Sequence, residues 1–189
     1  METKDLFKTL TAWDELIPGR GPIHLLACGG TALTLLGYKE STKDVDFLVP
    51  HRKEYERLVR FLKAAGYAQA TGFGWKRPEE AIIYDLYPGK AVYSTELLTS
   101  PLTKDGHRKI RRWKKIYLGV LNPVDLIITK MFRGSQADID DCLVLLGREK
   151  IDLKKLGKRF KETAKYDVSE GRVLKNYEVL LRRFEEAKQ

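Results

Sequence analysis

Cysteine is nearly absent from this 189-residue chain, and the two present, Cys28 and Cys142, exclude a disulfide scaffold or a four-cysteine zinc site. Each sits in an apolar run (Leu25-Leu26-Ala27 and Leu143-Val144-Leu145), which predicts buried free thiols. The three histidines are scattered and show no metal-ligand spacing. No apolar run approaches the roughly 18–20 residues that a membrane span requires. The first ten residues are polar and amphipathic, without a signal-peptide core. These absences predict a soluble cytoplasmic protein with no membrane partner. Asn and Gln total only five, beside 32% charged residues. That balance is the bias of hyperthermophile proteins and implies a hot-growing source.

What is present excludes global disorder: 43% hydrophobic and 10% aromatic residues are enough to bury a core. The formal net charge is +9, and it is unevenly placed. Residues 1–100 hold 13 basic and 13 acidic side chains, whereas residues 101–189 hold 22 and 13. A basic second half suits a polyanionic partner, although charge alone does not separate RNA, nucleotide phosphates and an acidic protein.

Apolar residues at helical spacing predict an amphipathic helix over residues 3–17, with Thr3 as its cap. Ile23–Cys28 is a short apolar run that ends in Gly29-Gly30, which predicts a strand and a sharp turn. Thr31–Leu36 then reads as a short helix, Val45–Val49 as a strand and residues 53–65 as a helix. Ala81–Tyr87 is strand-like, residues 93–98 read as a short helix or turn, and Ile110–Leu121 reads as one long basic strand. Pro123 opens a helix in the position that proline favours. Helical periods continue through 124–133, 137–147, 153–165 and about 169–187. The expected fold is α/β: a small mixed twisted sheet flanked by helices over residues 1–122, with a helical C-terminal extension, 123–189, packed on it.

Chemistry concentrates in Gly29-Gly30, followed after thirteen residues by Asp44-Val45-Asp46. Glycines let the backbone approach a phosphate closely, and a helix start offers free N–H groups. Thr31 adds a hydroxyl at the same place. Carboxylates two residues apart on a strand point to one face. Paired hard oxygen donors of this kind suit Mg²⁺ or Mn²⁺, which bridge the phosphates of a nucleotide.

Cys28-Gly29-Gly30 and Asp44-Val45-Asp46 resemble the signature of the nucleotidyltransferase superfamily that shares the DNA polymerase beta-like core. The resemblance implies that Gly30 holds the triphosphate of an NTP and that Asp44 and Asp46 coordinate divalent metal. It also implies a third carboxylate from a later strand, for which Asp85 in Ile82-Ile83-Tyr84-Asp85-Leu86 is the candidate. Gly29-Gly30-Thr31-Ala32-Leu33 and Thr42-Lys43-Asp44-Val45-Asp46-Phe47 look like the minimal enzymes of prokaryotic toxin–antitoxin and abortive-infection systems (the AbiEii-like group). Pro123–Lys130 resembles their helix with a lysine near the nucleotide, and Arg133 with Ala137-Asp138-Ile139-Asp140-Asp141 resembles their following helix. Lys130 and Arg133 are thereby expected to neutralise phosphates. Asp138 and Asp141 are expected to cap or bridge helices rather than touch metal.

Arg108, Lys109, Arg111, Arg112, Trp113 and Lys114 interleave basic residues with an aromatic, which suits a phosphate backbone and a stacked base. The same pattern also suits an edge strand kept soluble by charge. The expected activity is Mg²⁺-dependent transfer of a nucleotide from an NTP such as ATP to RNA (tRNA-like) or to a protein, with a toxin or antitoxin protein as a further partner. The alternative is a catalytically silent module on the same fold that binds RNA or a partner protein.

Overall fold

A computed structural model describes residues 1–188, and the chain divides into two compact units: Met1–Ala91 with Thr99–Leu121, and Val92–Leu98 with Asn122 onward. The first unit is built on a seven-stranded mixed sheet. Its strands are β1 (Ile23–Ala27), β2 (Val45–Val49), β3 (Ala68–Gln69), β4 (Gly74–Lys76), β5 (Tyr84–Pro88), β8 (His107–Arg112) and β9 (Ile116–Leu121), in the order β3-β4-β5-β2-β1-β9-β8. The central strands β2 and β1 run antiparallel, while β2 is parallel to β5 and β1 is parallel to β9. Every residue of β2 is buried, as expected of a strand covered on both faces.

Helices α2 (Gly29–Leu35) and α3 (Arg52–Ala64) pack on β1 and β2. Helix α1 (Thr3–Leu16) buries Leu6, Leu10 and Trp13 along one stripe. The Trp13 ring lies 5.0 Å from that of Tyr84 and 5.8 Å from that of Tyr67. No side chain caps α1: its N-cap is Glu2, and the Thr3 hydroxyl donates instead to Thr34 O.

Ile110–Leu121 is a hairpin rather than one strand, because one carboxylate gathers its turn. Asp14 of α1 accepts the backbone N–H groups of Lys114, Lys115 and Ile116, the latter two at 2.6 and 2.8 Å. Three such bonds fold the chain back after Arg112, so β8 becomes the antiparallel edge of the sheet. Strand β5 begins three residues later than Ala81. Two-residue strands β6 (Ala91–Val92) and β7 (Thr95–Glu96) form a separate small sheet within the stretch expected as helix or turn. Strands β3 and β4 are too short to carry a readable period.

The second unit holds α4 (Pro123–Arg133), α5 (Gln136–Arg148), α6 (Leu153–Ala164) and α7 (Glu170–Glu186). Helix α4 starts at an Asn122 cap with Pro123 at its first position, and residues Asp125–Phe132 are all buried. It ends at Gly134, which has a left-handed backbone (φ 70°) and whose missing Cβ leaves room for the Asn176 side chain that donates to Met131 O. Among the described residues, no helix is long and apolar enough to cross a membrane. Both cysteines are buried thiols outside any disulfide, and burial pushes the Cys142 thiol well above its ordinary value.

Candidate active site

The site forms where β1 delivers the chain into α2 and β2 starts beside it. Cys28 N donates to Asp46 O at 3.1 Å, which locks the glycine turn against the acidic strand. Gly29 has φ +55°, and a Cβ there would lie 2.7 Å from the Asp46 carboxyl carbon. Glycine is therefore required twice, once by the left-handed backbone and once by the carboxylate. Gly30 needs its missing side chain for a different reason: a Cβ would come within 2.7 Å of the Thr42 hydroxyl. That hydroxyl donates to Asp44 O at 2.8 Å and holds the loop leading into β2.

Thr31 is fully buried, and its hydroxyl accepts from Asp46 N at 2.9 Å and donates to Asp44 O at 3.3 Å. One side chain thus fixes the backbone on both sides of Val45. Thr31 positions the acids from the helix that begins at the glycines.

Asp46 is 5% exposed, Asp44 lies exposed just before β2, and Asp85 is half-buried on β5. In the parallel β2–β5 register Asp46 is the direct partner of Asp85, so their side chains share a face at one strand spacing, roughly 5 Å. Burial, and after it the negative charge of Asp44, push the Asp85 carboxyl above the usual carboxylate range. The structure therefore brings all three predicted acids together next to the glycine turn. Like-charged oxygens at this spacing disfavour one another unless a proton or cation sits among them. The donor set, carboxylate oxygen throughout, fits Mg²⁺ or Mn²⁺ and does not fit a thiophilic metal.

Supporting residues emerge that the sequence reading had not singled out. A Cβ on Gly74 would lie 2.9 Å from Asp85 Oδ1, and Thr71 donates to the same oxygen at 3.5 Å. The buried Tyr87 hydroxyl donates to Asp46 Oδ1, also at 3.5 Å. Position 87 follows 85 by two on one strand, so Tyr87 was readable as a neighbour of the acid face once Asp85 was chosen. Thr71 and Gly74 carried no such signal. Gly29→Ala is expected to cost about 1–2 kcal/mol of stability from the positive φ. It is also expected to displace the Asp46 carboxylate, so that transfer falls more than stability does. Chemical denaturation and a transfer assay on one preparation check both.

Lys130 and Arg133 lie in the second unit, on α4. Lys130 Nζ is 2.7 Å from Asp141 Oδ2 and 3.7 Å from Asp138 Oδ1, with only 3% of its side chain exposed. Arg133 makes a two-pronged pair with Asp138 at 2.7 and 2.6 Å, and its guanidinium also lies over the Tyr93 ring. Asp138 completes a capping box with Ser135 at the start of α5. Asp138 caps α5, and both aspartates bridge it to α4, the role expected of them.

Of the basic segment, Arg108, Lys109, Arg111, Arg112 and Lys114 are exposed on β8 and its turn. Trp113 is turned onto α1, where its indole donates to Thr11 at 2.9 Å beneath the Arg111 guanidinium and edge-on to Phe7.

Residues 107–189 match a family model described as a nucleotidyltransferase of unknown function (DUF6036). That match begins at β8, so Asp44, Asp46 and Asp85 lie outside it. No curated protein matches the sequence significantly. Among solved structures, the antibiotic-resistance factor ANT(2'')-Ia in complex with adenylyl-2''-tobramycin aligns with TM-score 0.58 at 14% identity, covering 87% of this chain and 98% of that one. Its solution structure aligns with TM-score 0.55 at 14% identity, covering 86% and 92%. MenT4, a nucleotidyltransferase toxin from Mycobacterium tuberculosis H37Rv, aligns with TM-score 0.46 at 16% identity, covering 85% and 68%. The chain thus has the nucleotidyltransferase fold and, over residues 107–189, the sequence pattern of that nucleotidyltransferase family.

Proposed function

We propose that this protein is a metal-dependent nucleotidyltransferase that moves a nucleotide from an NTP to a hydroxyl of a tRNA-like RNA. The observation that carries the reading is the convergence of Asp44, Asp46 and Asp85 beside a glycine turn that no larger side chain can occupy. Asp44 and Asp46 would hold Mg²⁺ or Mn²⁺ against the triphosphate, and Asp85 would complete the set on the acceptor side. A divalent ion there supplies charge neutralisation of the phosphates and acidifies an acceptor hydroxyl.

The chain's own residues supply the rest. Gly29 and Gly30 let the Asp46 carboxylate and the Thr42 hydroxyl close on the start of α2, which sets the acids beside the backbone that would face the triphosphate. Thr31 and Thr42 hold the acids in register through their hydroxyl bonds to the Asp44 and Asp46 backbone. ATP is the proposed donor, supported by the adenylyl group in the ANT(2'')-Ia complex.

RNA is favoured as acceptor by β8, an edge strand with Arg108, Lys109 and Arg112 exposed. It lies three strand spacings, roughly 14 Å, from β2 in the same sheet. A protein acceptor within a toxin–antitoxin pair is the competing outcome. The test incubates the protein with each labelled NTP, Mn²⁺, and either total tRNA or a candidate partner protein. Label on RNA that is lost in Asp44→Ala/Asp46→Ala supports the proposal. Label on protein alone moves the acceptor. RNA binding without any transfer by the wild type supports the catalytically silent alternative.

A further inference from the structure

The three histidines look unrelated in sequence, yet the fold collects two of them with a carboxylate. Strand β1 starts with Ile23-His24, and β2 runs back antiparallel with Leu26 opposite Leu48. Continuing that register sets residue 24 opposite residue 50, so the chain leaving β2 at His51 arrives beside the start of β1. His51 is the N-cap residue of α3, and Glu54 lies in the first turn of the same helix. One ring nitrogen of each histidine and a carboxylate oxygen of Glu54 all lie within 4.8 Å of one another.

The carboxylate is already held in place. Glu54 Oε2 accepts the backbone N–H of His24 at 2.7 Å and lies 3.1 Å from His24 Nδ1. The His24 ring is wedged against Tyr117, its neighbour across the β1–β9 pairing, with centroids 5.1 Å apart. Tyr117 is braced in turn by His107, whose Nε2 is 2.7 Å from the Tyr117 hydroxyl. Two ligands therefore sit on a strand and a helix that packing holds together. The third, His51, is exposed, and its ring meets that of His24 edge-on at 5.7 Å.

From this arrangement we infer a second metal site, His24–His51–Glu54, that takes Zn²⁺ with water as a fourth ligand. Two imidazoles and one carboxylate suit this borderline ion, which the all-carboxylate site does not. Tetrahedral ligands at about 2.0–2.1 Å from zinc stand about 3.4 Å apart, so a small rotation of the exposed His51 closes the set. The site is distinct from the acid cluster. It lies at the other end of β1 and β2, four residues before Cys28 and so roughly 13 Å along the strand. Bound zinc would staple the first turn of α3 to β1.

The site is tested on the full chain with Zn²⁺ alone, and no NTP or acceptor is added. Metal content after gel filtration should be one zinc per chain, and a hundredfold excess over Kd should raise the melting midpoint by about 5–10 °C. Co²⁺ in place of zinc should give the intense visible bands of a tetrahedral site. His51→Ala changes an exposed side chain that makes no cap bond, so it should fold as the wild type does and lose both the metal and the shift. Asp44→Asn/Asp46→Asn should keep both. The inference is overturned by absence of stoichiometric zinc, by unchanged binding in His51→Ala, or by loss of zinc in the aspartate variant. None of these outcomes depends on nucleotide transfer.

Discussion

Asp46→Asn is expected to lower nucleotide transfer by about 10³-fold while the protein remains folded. The amide matches the carboxylate in shape, and the backbone bonds that seat the residue, from Asp46 N to Thr31 and from Cys28 N to Asp46 O, do not involve its side chain. The variant lacks one negative charge at the point where divalent metal would be held. Stabilisation of transition-state charge by such a metal amounts to several kcal/mol, which is a factor of about 10³ or more. Initial rates with labelled ATP and Mn²⁺, beside a melting curve of the same sample, measure it. Transfer within tenfold of wild type would remove Asp46 from the metal site.

Asp85→Asn carries the companion expectation on stability. Because burial and Asp44 raise the Asp85 carboxyl above its unfolded value, its ionised form opposes folding. The contribution of this group to stability is fully present below the unfolded carboxyl range and is lost as pH rises through the raised value. At neutral pH without metal, the asparagine variant should therefore melt higher than wild type. Added Mg²⁺ should stabilise wild type and leave the variant nearly unchanged. A lower metal-free melting point for Asp85→Asn would contradict the packing of the three acids.

The second large effect is expected from Lys130→Met. The Lys130 side chain is 3% exposed, and its ammonium is 2.7 Å from Asp141, whose side chain is 8% exposed. Removing the ammonium takes a compensating positive charge away from the buried Asp141 and Asp138 carboxylates, at a cost of about 3–5 kcal/mol. For a chain of this length that corresponds to a fall of roughly 10 °C in melting temperature. Lys130→Met combined with Asp141→Leu should recover most of the loss, because replacing both partners with apolar groups is often close to neutral. A single variant that melts within 2–3 °C of wild type would mean that the pair is not dry.

Much of the architecture was legible in the residues themselves. The apolar periods that mark α1, α3 and the four C-terminal helices come from burial of one face, a local property that survives in any fold. The Gly-Gly turn and the Asp-x-Asp strand were legible because their spacing is set by backbone geometry: a short helix, a return loop and a strand. The placement of Asp85 was an inference from strand character, and the β2–β5 register puts it opposite Asp46.

Only the tertiary structure decided the features that join distant segments. Asp14, a hundred residues away in sequence, accepts the turn N–H groups that split one apparent strand into β8 and β9, and no local signal announces such a bond. Trp113 lies among basic residues in sequence but is committed to α1 in space, while Lys130 is paired in a buried network. The histidines met because antiparallel strands return the chain to its starting edge, so that residues 24 and 51 become neighbours. Composition and period report what each segment must bury. Which acid meets which base, and which imidazoles share a cation, depends on strand order and register, and these are properties of the assembled sheet.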